Sequence, residues 1–266
     1  NSVNKIFDDY KETYYIPAGR SMLTLLVNNR SLLENDNLDL ITRQFMQVID
    51  NIHRVFEDGI RNVHKRYPDG ERRFDVTKTA EMLISDLKGD YLYNAGKEYI
   101  VVEDEEEHSE KIPINFASSG QQEVLWLLNQ LYILMLKKEK AFVIIEEPEA
   151  HLHPELQQKM ARLIINMMNL GIPVWITTHS DTILQHINNM MKLKNHVRSN
   201  ELQQEYGYKK EDLLSREDIQ MYQFVTENSW KTRLIPLEAT KYGFVVPTFN
   251  NALEKIVEEV YAFQED

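Results

Sequence analysis

The sequence has no cysteine. Disulfides, thiolate metal centres and cysteine nucleophiles are therefore excluded. Glycine and proline are sparse, 9 and 8 among 266 residues, so a collagen-like or low-complexity chain is excluded as well. No apolar run approaches the roughly 18 residues of a membrane span. Positive charge is in deficit: 30 Lys and Arg stand against 42 Asp and Glu, for a net −12. That balance does not suit wholesale coating of nucleic acid, and it gives no support for DNA contact. The densest basic stretch, Arg61 to Arg73, also carries Asp69 and Glu71 and reads as a solvated face. The opening Asn-Ser-Val-Asn-Lys lacks the pattern of a signal peptide and an initiator methionine. A trimmed or processed chain is expected from this, in a cytoplasmic location and with no membrane partner. What is present is 42% hydrophobic residues, enough to bury a core in one large domain or two small ones.

The hydrophobic pattern changes along the chain. Tyr14-Tyr15-Ile16 reads as a short strand that ends at Pro17 and Gly19. Ile41, Phe45, Val48, Ile52 and Val55 form an amphipathic stripe, which predicts a helix from about Asp39 to Tyr67. Pro68-Asp69-Gly70 breaks the chain, and a shorter helix fits 77–87. Residues 91–102 and 111–116 read as strands of a hairpin, with the acidic run Glu103 to Glu107 as its solvated turn. A helix over 119–137 follows from Val124, Leu127, Leu128, Leu131 and Leu134. Ala141 to Ile145 is a continuous apolar run, as in a strand buried on both faces. A helix starts near Pro154, a second buried strand covers 172–177, and another helix runs from about Asp181. Strand, helix, strand, helix implies a parallel sheet with right-handed crossovers. After a polar stretch at 195–218, segments 219–226 and 231–237 alternate like strands, and a last helix carries Leu253, Ile256, Val257 and Val260.

Three segments fall where such a sheet places its chemistry, at strand C-termini and helix N-termini. The first is Glu146-Glu147-Pro148-Glu149-Ala150-His151-Leu152-His153-Pro154. Of two adjacent carboxylates after a buried strand, one can hold magnesium and the other can orient a water that attacks a phosphate. An ordinary acidic loop is the plain alternative. The second is Ser118-Ser119-Gly120-Gln121-Gln122, which opens the 119–137 helix. Ser119 and Gln122 have capping-box spacing. The same Ser-Gly start offers backbone N–H groups to an anion, with Gly120 permitting close approach. The third is Thr177-Thr178-His179-Ser180-Asp181. Ser180 can cap the helix that follows, and His179 is either a surface residue or a donor to a phosphate oxygen.

The order and spacing of these segments resemble the C-terminal lobe of an ABC-type AAA ATPase head. The branch is the SMC-like and OLD-like one, which includes ATPases of bacterial anti-phage systems. Over roughly 112–190 the resemblance implies an α/β, partial P-loop NTPase fold: a mostly parallel sheet with flanking helices, plus a helical and hairpin insertion. Tyr15-Ile-Pro-Ala-Gly-Arg20 also looks like a segment of this branch, which makes 28–110 the insertion. Two regions are then expected: 1–110 with the linking strand, insertion and hairpin, and 111–266 as the lobe. The resemblance implies ATP and Mg2+ as ligands. It places the signature on Ser118, Ser119, Gly120, Gln121 and Gln122, the Walker B acid on Glu146 and the catalytic acid on Glu147. It places the D-loop on Glu149, Ala150, His151, Leu152 and His153, and the switch histidine on His179. The usual Leu and second Gly of the signature are replaced here, and Glu146 stands where Asp is more usual. In the family, two heads sandwich two ATP molecules, so a homodimer through the heads is implied, along with an effector or nuclease partner.

A P-loop is missing. The sole Gly-Lys pair, Gly96-Lys97, has Tyr91 at the first glycine position and Glu98 at the hydroxyl position. Either a P-loop lies upstream of Asn1, as expected here, or it has been lost. The chain alone is then expected to bind ATP poorly and not to turn it over. The second reading is a degenerate lobe that docks or regulates another protein. A Toprim-type nuclease would need an Asp-x-Asp pair, which the sequence lacks. The His151/His153 pair, at i and i+2 in a loop, is a weak metal site.

Overall fold

A computed structural model describes residues 12–20, 40–57, 63, 90–103, 109–137, 141–228, 230–241 and 243–264. The chain divides into two compact units, Asn1–His179 and Ser180–Asp266.

In the first unit, β5 (Ala141–Glu146) lies between β1 (Glu12–Ile16) and β6 (Val174–Thr177), parallel to both. Ala141, Val143 and Ile145 are fully buried, so β5 puts one face wholly into the core. Parallel neighbours need a crossover, and α3 (Pro154–Asn169) supplies it between β5 and β6. Pro154 opens this helix at a position that needs no N–H donor. Gly171, at φ 82°, ends it: Ile172 N donates to Met167 O at 3.1 Å and Gly171 N to Met168 O at 2.9 Å. Strand β6 is not the doubly buried strand that its composition suggests. Among the described residues it pairs with β5 alone, and Trp175 is 55% exposed.

Helix α2 (Ser119–Lys137) is buried all round from Val124 to Leu136 rather than along one stripe. Against it packs α1 (Leu40–Val55) through Phe45, Ile49 and Ile52, with the Phe45 and Trp126 ring centroids 6.2 Å apart. This helix stops at Val55, short of the predicted Tyr67, and just beyond it the Phe56 carbonyl accepts from Tyr93 N at 3.3 Å. Residues 91–102 form two strands, not one: β2 (Asp90–Asn94) and β3 (Lys97–Glu103). Ala95 and Gly96, at φ 50° and 78°, turn the chain between them. Strand β4 (Ser109–Pro113) pairs antiparallel with β3, and a short 3-10 turn takes up Ile114–Phe116. The predicted helix at 77–87 and most of the acidic run lie outside the described residues.

One buried carboxylate joins α1, the β2–β3 hairpin and α2. Glu98 Oε1 accepts from Tyr91 OH at 2.6 Å and Trp126 Nε1 at 3.2 Å, and pairs with His53 Nε2 at 2.9 Å. Burial, then the Glu98 charge, holds the Tyr91 hydroxyl well above its ordinary pKa.

In the second unit, Ser180 Oγ accepts from Ile183 N at 3.1 Å and caps α4 (Asp181–Lys194). The polar 195–218 stretch holds α5 (Ser199–Glu205) and two 3-10 turns. Strands β7 (Met221–Asn228) and β8 (Lys231–Leu237) form an antiparallel hairpin. Strands β9 (Ala239–Thr240) and β10 (Gly243–Phe244) pair next to α4, where Asn188 bonds both the N and O of Phe244 at 2.8 Å. Helix α6 (Pro247–Ala262) follows. Among the described residues no helix is long and apolar enough to cross a membrane.

Candidate functional site

Parallel register decides which residues meet at the sheet's C-terminal edge. Ile16 lies opposite Ile145 and Thr177 opposite Glu146, so the exits of β1, β5 and β6 are neighbours. Glu146 is the last residue of β5. Its Oε2 accepts from Ala18 N at 3.2 Å in the β1 exit. The Tyr15 hydroxyl also bonds this carboxylate. Its pKa is pushed up to about 12, first by burial and then by the hydrogen bond and charge of Glu146.

Glu147 leaves the sheet in a left-handed conformation, φ 44°. For a residue with a Cβ this costs about 1–3 kcal/mol and persists only where the surroundings enforce it. They do so on both sides. Glu147 N donates to Thr177 O at 2.9 Å. The fully buried Arg20 guanidinium donates from Nη1 to Pro17 O at 2.8 Å and Glu146 O at 2.9 Å, and from Nη2 to Glu147 O at 3.1 Å.

The chain then turns through 148–151. Ala150 N donates to Glu147 O at 3.0 Å and Leu152 N to Glu149 O at 2.9 Å, with His151 at φ 59°. Buried Leu152 anchors the turn, and His153 is the N-cap of α3 without a side-chain cap bond. Glu149 reaches across to the β6 exit. Its Oε1 accepts from Thr178 Oγ1 at 2.8 Å and His179 N at 2.7 Å. His179 Nε2 lies 3.8 Å from Glu147 Oε1, with the two side chains 87% and 42% exposed. The structure thus brings Glu146, Glu147, Glu149 and His179 to one edge. Glu147 and His179 face solvent, where a ligand can reach them.

The start of α2 differs from the sequence expectation by one residue. Ser118, not Ser119, is the cap: Gln121 N donates to Ser118 Oγ at 3.3 Å, and Gln121 Oε1 accepts from Ser118 N at 3.2 Å. Ser119 is the first helical residue, and Gln122 Nε2 donates to Ala117 O at 2.8 Å. Gly120 lies against the turn after β5. A Cβ there would stand 3.0 Å from the His151 carbonyl oxygen, so close packing already accounts for this glycine.

Among the described residues no three His, Asp or Glu side chains are grouped to hold a metal ion. Glu146 keeps carboxylate capacity beyond its bonds to Ala18 and Tyr15. That fits a Mg2+ that keeps most of its waters and phosphate ligands, rather than a protein cage. Sequence reasoning assigned no role to Tyr15 or Arg20, although both lie in the segment singled out at 15–20. It also missed Glu149 as the strap between the two loops.

A family model for the AAA ATPase domain matches residues 4–184. No curated protein matches the sequence. The chain is similar to a solved structure from work on ATP-driven dimerization and DNA-stimulated activation of SMC ATPases. Identity is 15% and the TM-score 0.39, over 71% of this chain and 94% of that one. The matched family span takes in the parallel sheet, the paired glutamates and His179, and it covers more than half of the sequence: the chain belongs to the AAA ATPase domain family.

Proposed function

We propose that this ATPase domain is part of an ABC-type head that hydrolyses ATP held between two heads. Glu147 orients and deprotonates the attacking water. His179 donates to the γ-phosphate, and Glu146 helps to hold Mg2+, which when bound neutralises charge on the phosphates. Ser119 and Gly120, with Ser118, Gln121 and Gln122 around them, meet the nucleotide of the partner head through the α2 N-terminus. Glu149 to His153 form the D-loop between these parts. The observation that carries the reading is Glu147 itself: strained at φ 44°, 42% exposed and 3.8 Å from His179. Strain of this kind clusters at functional sites, and here it stands at a strand exit beside a second carboxylate, with the Glu147 side chain open to solvent.

The 266 residues contain no Gly-x-x-x-x-Gly-Lys-Ser/Thr, so the cradle for the β and γ phosphates comes from outside them.

The test is Glu147→Gln in the full-length protein. Turnover is expected to fall on the order of 10²–10⁴-fold, as for loss of a general base, while ATP-dependent association by gel filtration is kept. Turnover at the wild-type rate would reject the assignment. A wild-type protein that associates but does not hydrolyse ATP would favour a docking lobe instead.

A further inference from the structure

We infer that Arg20 is a positioning residue. It fixes the Glu146–Glu147 peptide so that Glu147 stays left-handed, with its carboxylate toward His179. The inference rests on the reading of Glu147 as the base. It adds a residue that acts through the backbone carbonyls it bonds.

The geometry is specific. Arg20 is fully buried, and its guanidinium bridges three carbonyls from two strand exits: Pro17 after β1, and Glu146 and Glu147 after β5. A buried cation is costly unless its donors are used, and these bonds use three of them, all on the two terminal nitrogens. They also tie down both carbonyls that flank the strained residue. Glu147 N is held from the other side by Thr177 O. The Glu146 carbonyl and both backbone polar groups of Glu147 are thus held. Among the described residues, its carboxylate has only the 3.8 Å approach of His179. The backbone is rigid and the carboxylate is available, which is the combination a general base needs. The same exit loop fixes Glu146 by a different route, through its side chain, with Ala18 N on Oε2. Lysine could not replace Arg20. A single ammonium lacks the planar pair of nitrogens that spans the Glu146 and Glu147 carbonyls.

The test is Arg20→Lys in the full-length protein, with folding checked by thermal melting. The expected result is a kcat lower on the order of 10²-fold with KM for ATP within about twofold, the signature of a misplaced catalytic group. Arg20→Ala should recover part of its turnover when guanidinium ion is added below denaturing concentrations. A crystal structure of Arg20→Lys should show Glu147 out of the left-handed region. A folded Arg20→Lys protein with wild-type kcat would overturn the inference and leave the ATPase reading standing. Glu147 unchanged near φ 44° in that crystal structure would also overturn it, whether or not the protein turns over ATP. Loss of folding in both variants would make Arg20 a core residue only, and would overturn it too. Absence of turnover in the wild type would reject the ATPase reading, and the crystal structure would then decide on Arg20 alone.

Discussion

A single oxygen of Glu149 accepts from the Thr178 hydroxyl and from the His179 amide, so one side chain joins the turn after β5 to the exit of β6. Hydrogen bonds to a carboxylate are worth about 1.5–3 kcal/mol each, and those to His179 N and Thr178 fix where the histidine starts. Glu149→Gln keeps an oxygen that accepts both bonds; Glu149→Ala keeps none. Turnover in the full-length protein is expected within a few-fold of wild type for Gln and lower on the order of tenfold for Ala. Equal loss in both variants would show that the charge, not the strap, matters. This residue was legible as part of a motif but not as a strap. The Glu-Glu-Pro-Glu string marks four positions in order, and order says nothing about a contact 30 residues away at His179. Arg20 was hidden for the same reason. Its partners, Glu146 and Glu147, lie 126 and 127 residues on.

At the scale of elements, the long periodic segments were readable and their joins were not. Helix α2 begins at Ser119 and ends at Lys137 as its apolar pattern predicts, and β5 follows the run from Ala141. The pattern over 91–116 suggests one hairpin where β2, β3 and β4 form, because Ala95-Gly96 is a weak turn signal between two runs that both suit strands. The end of α1 has no local signal: the carbonyl just beyond it is taken up by a tertiary bond from Tyr93, which the local sequence does not announce. The start of α2 gives a sharp test of packing against propensity. Alanine is a better helix former than glycine by about 1 kcal/mol, so propensity alone predicts that Gly120→Ala stabilises. The structure predicts the reverse. The added Cβ would sit 3.0 Å from the His151 carbonyl oxygen, and His151 is itself held at φ 59° and cannot easily give way. A lower denaturation midpoint for Gly120→Ala is expected. A higher midpoint would mean that the helix start and the turn after β5 are not packed as described.

At the scale of the molecule, the two hydroxyls that lean on buried or half-buried carboxylates set a limit on stability in alkali. Tyr15 against Glu146 is pushed up to about 12 from 10.0, and Tyr91 against Glu98 is raised well above the same value. Both groups favour the neutral phenol in the fold. Below the unfolded pKa of 10.0 each phenol is protonated in both states, and its hydrogen bond contributes in full. Above it, the unfolded chain releases the proton while the fold retains it, so stability falls as pH rises. For Tyr15 the loss is complete once pH passes about 12. Tyr15→Phe removes one of these groups and keeps the ring. In urea titrations at rising pH, the wild type is therefore expected to lose stability more steeply than Tyr15→Phe above pH 10.0, with the extra loss levelling off as pH passes about 12. Parallel curves would mean that Tyr15 does not bond Glu146. That would remove one of the two groups that hold the Glu146 carboxylate and leave Ala18 N alone to place it at the sheet edge.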